Sequence, residues 1–432
     1  MRTTSRRLVS SMLVLFVACA PWTPPRAGLT EEDERLLASM VLEAPRADPN
    51  NPWLERDDVA VFGQQLFFDQ GLSFVDGGVG GDGGLPTFVV PTAGVSCADC
   101  HSPRTWFSDE RPARNVSFGL SWTLRNSPSM VNVAFYEAWV WDGRADALWG
   151  QAVHAYQAGP TMGGTPLRAA RVLKARYADR YQALFGEALP DELAPTHSNA
   201  ARFDRGPDVP LSPDAQAELD RIYEHFLKAL AVYMTRLVSL DAPFDRFAQG
   251  DDLALSPAAR RGLGLFFGKA GCVECHRGPS FTDNRFHSVG IGQSGPNVRP
   301  DVGREAGLGE LRKLRFRASQ TVPAPTPADR GAFRTKSLRH VAMTGPYMHA
   351  GQLATLKDVV WFYNRGGDRE GAGTPSRFMV PLGLSEDEQS DLVQFLEALT
   401  GAPVEARWAC DNARETTPGM KRPFPACEGA PP

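Results

Sequence analysis

After residue 20 the sequence has no apolar stretch near the ~18–20 residues that a membrane-spanning helix needs, which excludes a polytopic membrane protein. It has no long basic run either. Forty-six Lys and Arg stand against 50 Asp and Glu, a formal charge of −4, which argues against a nucleic-acid partner. Period-2 alternation of apolar residues is scarce, so an all-β fold is not expected. Met- or His-rich tracts are missing, so nothing in the composition supports a metal- or copper-handling accessory role. What is present, 42% hydrophobic and 22% charged residues, is ordinary for a globular protein and too apolar for a disordered one. At 432 residues the chain is about three times a ~150-residue domain, so two domains with appendages are expected. Forty-one Gly and 35 Pro call for many ordered loops.

Arg2, Arg6 and Arg7 precede an apolar run from Leu8 to Ala20, broken only by Ser10 and Ser11. A basic segment followed by such a run reads as an export signal over residues 1–19. Two processing readings stand. Ala18-Cys19-Ala20 fits an ordinary signal-peptidase site, except that Pro21 would follow the cut and normally blocks that enzyme. Val17-Ala18-Cys19 fits a lipobox, which would leave Cys19 as a lipidated N-terminus and anchor the protein to the membrane in the periplasm.

Seven cysteines fall at 19, 97, 100, 272, 275, 410 and 427. Four belong to two copies of one pattern, Cys97-Ala98-Asp99-Cys100-His101 and Cys272-Val273-Glu274-Cys275-His276. Given the chain's Cys and His content, chance supplies about 0.002 such motifs in a sequence of this length. Two thiols three residues apart can add to the two vinyl groups of one haem and place the adjacent His beneath the iron. A zinc ribbon would bring its Cys pairs within ~15–20 residues, and a thioredoxin-type site does not require the following His. Both motifs therefore read as attachment sites for covalent haem c, with His101 and His276 as proximal iron ligands. In an exported protein Cys410 and Cys427 pair economically as a disulfide worth roughly 3 kcal/mol, the other reading being two free thiols.

Three helices are well punctuated. Ser212-Pro213 offers an N-cap and first position for a helix carrying Ile222, Phe226, Leu230, Tyr233 and Leu237 on one face. Ser256-Pro257 opens another, with Leu263, Phe266 and Phe267 turned inward before Cys272. Ser385 and Glu388 form a capping box, Leu392, Phe395, Leu396 and Leu399 follow, and Gly401 is expected to end that helix. A Gly-rich stretch from Gly71 to Gly94 reads as a loop entering the first motif. The expected fold is mainly α, two cytochrome c-like haem domains with long irregular loops. Residues 20–50 form a linker and first helix, 51–250 the N-terminal haem domain, 251–405 the C-terminal haem domain and 406–432 a Pro-rich tail.

Two further segments are more specific. One is Arg125-Asn126-Ser127-Pro128 with Trp141-Asp142-Gly143-Arg144 and Gln151. The other runs from Phe333-Arg334-Thr335-Lys336-Ser337-Leu338-Arg339 to Pro346-Tyr347-Met348-His349-Ala350-Gly351. With both haem motifs, these resemble the bacterial di-haem cytochrome c peroxidase and MauG superfamily over residues 55–402. The ligand pattern resembles that of MauG and the methanobactin-associated enzyme MbnH. The resemblance implies two haem c groups, peroxide binding at the first, and Trp141 relaying electrons between them. It implies a structural Ca²⁺ held at Asn126, Thr344 and Pro346 by oxygen donors. It also implies a sixth iron ligand fourteen residues after His349, the position of Tyr363, where peroxidases carry methionine. A phenolate is a hard anionic donor that favours oxidised over ferrous iron and lowers the potential.

The distal His that some relatives carry ahead of the Arg-Asn-x-Pro motif has no counterpart here, since no His lies between His101 and His154. The first iron is therefore expected to be open to peroxide. Gln151 matches the distal glutamine that orients peroxide, but the family's distal glutamate falls at Thr161, which cannot titrate near neutral pH. His154, one helical turn from Gln151, is the candidate substitute, against the plainer reading of a packed histidine. The implied activity is peroxide-driven oxidation of a side chain on a partner protein. The alternatives are detoxification of peroxide with electrons from a small cytochrome or copper protein, and electron carriage without catalysis.

Overall fold

The computed structural model describes residues 29–42, 48–73, 94–109, 116–193, 212–296, 299–412 and 424–427. The export signal with Cys19 and most of the Gly-rich loop lie outside them. Ten α-helices carry the described chain: α1 (Glu31–Ser39), α2 (Asp57–Phe68), α3 (Leu148–Gln157), α4 (Pro166–Phe185), α5 (Pro213–Met234), α6 (Pro243–Ala248), α7 (Pro257–Phe267), α8 (Arg304–Lys313), α9 (Leu356–Asn364) and α10 (Glu386–Glu397). The described strands are two residues each, β1 (Phe286–His287) and β2 (Phe333–Arg334), paired antiparallel with Phe286 opposite Arg334. The fold is mainly helical with long loops, as expected.

The predicted starts hold to the residue. The Ser212 and Ser256 hydroxyls accept from the N–H of Ala215 and Ala259, and Ser385 and Glu388 close their capping box. The end of α10 differs. The helix stops at Glu397, and Leu399 and Thr400 continue in a tighter turn. Gly401 lies beyond it, and its lack of a side chain answers to another need: a Cβ there would meet the Leu240 carbonyl at 2.4 Å. It is a point of close chain approach, with Ala402 N–H donating to that same carbonyl at 2.8 Å.

Two large hydrophobic cores hold most of the buried apolar side chains among the described residues, beside two small clusters. The first gathers α2, α3, α4 and α5, with Phe62, Phe67, Tyr177, Tyr223, Phe226 and Tyr233 fully buried. The second gathers α6, α7, α9 and α10 around Phe244, Phe266, Phe281 and Phe395. Each is built on a pair of helices in close contact at a glycine. A Cβ on Gly63 would meet the Ala229 carbonyl at 2.0 Å and one on Gly262 the Asp391 carbonyl at 2.1 Å. The backbones of α2 and α5, and of α7 and α10, can approach that closely only without those side chains.

The cores do not follow chain order strictly. Leu37 of α1 and Met40 just after it pack in the second core, while Leu311 of α8, Leu314, Trp408 and Phe424 pack in the first. Cys410 and Cys427 form the disulfide, closing a tail whose Asp411 N–H donates to the Pro425 carbonyl at 2.8 Å. The tail is tied to α2 by the Gln64 amide, which donates to the carbonyls of Arg407 and Cys410.

Candidate functional site

Each Cys-x-x-Cys-His motif folds as a short 3₁₀ turn, Cys97–Asp99 and Cys272–Glu274. In both, the His N–H closes back on the carbonyl of the first Cys, His101 on Cys97 at 3.0 Å and His276 on Cys272 at 2.9 Å. The ring Nδ1 of His101 lies 3.0 Å from the Phe107 carbonyl, and that of His276 lies 3.0 Å from the Phe281 carbonyl. A carbonyl can only accept, so Nδ1 carries the proton and Nε2 keeps its lone pair for a metal. Phe107 and Phe281 share a second feature. Both sit at positive φ, 55° and 50°, a rare conformation for a bulky residue, and both present their carbonyl to the histidine. Burial pushes both imidazoles below their ordinary pKa, which favours the neutral ligand form.

The motifs open into two separate cavities. The first, about 90 Å³, is lined by Cys97, Cys100, His101, Gln151, Thr161 and Met162 among others. The second, about 280 Å³, is lined by Cys272, Cys275, His276, Trp141, Lys336 and Tyr363 among others. None of the four cysteines is in a disulfide, and burial pushes the thiols of Cys97 and Cys272 up to about 12, so they stay protonated. Two thiols and an imidazole with a free Nε2, at the wall of a largely apolar cavity, are the donor set that covalent haem c requires, and the set occurs twice. The Cys pairs line different cavities, which removes the four-thiol zinc reading.

Gln151 lies on the first cavity wall, where its amide donates to the Met234 sulfur at 3.0 Å, a weak acceptor. Thr161 also lines it, with its hydroxyl turned to the carbonyls of Ala155 and Ala158. The expectation for His154 is corrected. It is not among the lining residues, and its Nε2 lies 2.7 Å from the Arg144 carbonyl. The sequence places it one turn from Gln151, but the residues of α3 that line the cavity are Gln151, Ala152, Ala155 and Tyr156. His154 is the packed histidine of the plainer reading.

Trp141 lines the second cavity, and its indole N–H donates to the Asn126 carbonyl at 2.8 Å. Its own carbonyl accepts from Arg334 N–H at 2.8 Å. Asn126 is followed by Ser127, which lines the first cavity, so the indole hydrogen-bonds to the segment that walls the other site. Behind Trp141 lies a buried ionic clasp. Arg125 meets Asp142 at 2.7 Å and Asp301 at 2.6 and 2.9 Å, joining segments from the two halves of the chain.

Asn126, Thr344 and Pro346 all border the second cavity, and the Asn126 amide donates to the Pro346 carbonyl at 3.1 Å. Tyr363, at the end of α9, is half-buried against the same cavity, and desolvation raises its phenol above the ordinary range. Four other lining residues were given no role from the sequence: Arg334, Lys336 and Met348 stand there only as members of the motif that carries the resemblance, and Met379 was not singled out.

The family model for di-haem cytochrome c peroxidase matches residues 57–253. The chain is 34% identical to the methylamine utilization protein MauG of Methylorubrum extorquens over 359 residues, 83% of this chain and 81% of that protein. It is 35% identical to the cytochrome-c peroxidase IdrP1 of Denitromonas iodatirespirans, covering 81% and 83% of the two chains. Among solved structures, a MauG-like protein associated with microbial copper homeostasis superposes with a TM-score of 0.62 at 25% identity, over 86% of this chain and 97% of that one. The chain belongs to the di-haem cytochrome c peroxidase and MauG family, peroxide-dependent oxidoreductases that carry haem c.

Proposed function

We propose that this protein is a periplasmic MauG-like enzyme that uses hydrogen peroxide to oxidise a Trp or Tyr side chain on a partner protein. When bound, haem c supplies the iron at which peroxide is cleaved, held by His101, and a second iron that stores an oxidising equivalent, held by His276. His101 donates Nδ1–H to the Phe107 carbonyl, which fixes the ring and raises the basicity of Nε2. Gln151 faces the same cavity with an amide held only by a sulfur, so it is free to orient bound peroxide. No histidine closes the opposite side of that cavity among the described residues. Trp141, fixed by Asn126, passes electrons between the two sites. Oxygen donors of Asn126, Thr344 and Pro346 are the ligands for a Ca²⁺ between the two halves. Lipidation at Cys19 would keep the enzyme at the membrane.

The observation that carries this reading is Tyr363, a phenol where a peroxidase fed by a small cytochrome needs a ligand that keeps the potential high. His276 and Tyr363 would hold the second iron, and a phenolate donor there would make it a poor electron acceptor from a diffusing donor and a good store for an oxidising equivalent. The test is Tyr363→Met, assayed with peroxide and a reduced small c-type cytochrome. The wild type is expected to turn that donor over slowly and the variant faster, with oxidation of the partner's side chain lost. Fast turnover in the wild type, unchanged in the variant, would assign the protein to peroxide detoxification.

A further inference from the structure

Four cationic side chains line the second cavity: His287, Arg334, Lys336 and Arg339. Two are compensated by protein carboxylates. Arg339 meets Asp245 at 2.9 and 3.0 Å, and His287 meets Asp283 at 2.9 Å. The other two have no carboxylate partner among the described residues. Arg334 lies 4.2 Å over the Tyr136 ring, its NH1 reaches the Asn284 and Thr335 oxygens only at 3.4 Å, and its Nε has no partner. The Lys336 ammonium faces aromatic rings, Trp141 at 4.8 Å and Tyr136 at 6.0 Å. Two like charges two residues apart at the wall of an apolar cavity are costly unless an anion joins them. Among the described residues no carboxylate does so.

We propose that Lys336, backed by Arg334, receives a propionate carboxylate of the porphyrin bound by Cys272, Cys275 and His276. This rests on the di-haem reading and deepens it. Thioether bonds to Cys272 and Cys275 and a bond to His276 would anchor one edge and the axis of the ring, leaving the far edge to be held by other contacts. A propionate drawn to Lys336 fixes that edge beside the indole of Trp141, so Lys336 is a positioning residue for the pair that exchanges electrons. An ammonium also suits this task as a compact point charge, and Trp141 tolerates it at its face through cation–π attraction.

The test uses the full-length holoprotein and the variants Lys336→Met, Lys336→Arg and Lys336→Gln, each first checked for two covalent haems per chain. Two quantities are measured for the His276-ligated haem: its midpoint potential and its propionate bending frequencies in resonance Raman spectra. In K336M the potential falls, because a cation that favoured the reduced state is gone, and a propionate bending mode moves to lower frequency. K336R restores both toward wild type. Should K336M not mature, K336Q decides, and wild-type values there overturn the proposal. So does a shift confined to the His101-ligated haem, or no shift in K336M. A wild-type protein carrying fewer than two haems would overturn the di-haem reading and this proposal together, whereas the other outcomes leave that reading standing.

Discussion

Arg125→Met removes one guanidinium and leaves two carboxylates, Asp142 and Asp301, with side chains only 2% and 3% exposed. Asp142 retains Arg144 at 3.7 Å, and Asp301 retains the Gly303 N–H at 2.9 Å. Neither replaces a two-pronged charge pair. Breaking a buried pair by deleting one partner costs about 3–5 kcal/mol. With an unfolding entropy of ~2.1 cal/mol/K per residue over ~400 residues, each kcal/mol moves the midpoint by roughly 1 °C. A cooperative melt should therefore fall by roughly 4–6 °C.

The pH dependence has a definite sign. Burial alone would raise both carboxyls, but Arg125 outweighs it and holds them below the ordinary carboxylate range. Their stabilisation of the wild type is present above about pH 4 and is lost as pH falls through the depressed values. Without Arg125, burial raises the same groups, so acid relieves the variant. The gap between the two proteins, measured by calorimetry at pH 7 and stepwise toward pH 4, should narrow. A midpoint within a degree of wild type, or a gap that does not change with pH, would refute the clasp as a source of stability.

Trp141→Phe keeps an aromatic ring but removes the donor to the Asn126 carbonyl, leaving a part-buried acceptor unpaired at about 1–3 kcal/mol. Stopped-flow spectra after peroxide should show the first haem responding at its wild-type rate and the second responding more slowly; equal rates at both would remove Trp141 from the path between them. Replacing Cys410 and Cys427 together by Ser reopens a loop spanning 17 residues, so denaturant unfolding should lose about 3 kcal/mol. A loss below about 1 kcal/mol would mean that the Gln64 bonds and the packing of Trp408 hold the tail without the disulfide.

Much of this was legible in the sequence because the chemistry demands local patterns. A Cys-x-x-Cys-His turn needs five consecutive residues, and Ser-Pro helix starts need two, so both could be read without knowing the fold. The disulfide followed from counting cysteines that had no other partner. His154 shows where local reasoning stops. Helical spacing says which residues share a face with Gln151, but only the packing of α3 shows that His154 turns to the Arg144 carbonyl instead. Gly401 has the composition of a helix end and the role of a contact with Leu240, a distinction set by residues 161 positions apart. Lys336 and Arg334 were named in a motif but given no role for the same reason, since only the structure shows that their surroundings are aromatic rings and a cavity.

The most direct measurement is the electron paramagnetic resonance spectrum of the fully ferric holoprotein at rest. An iron held by His101 with its sixth position open gives a high-spin ferric signal, and an iron held by His276 and Tyr363 gives a separate low-spin signal of equal weight that disappears in Tyr363→Phe. Two low-spin signals at rest, or a low-spin signal untouched by that substitution, would contradict the account.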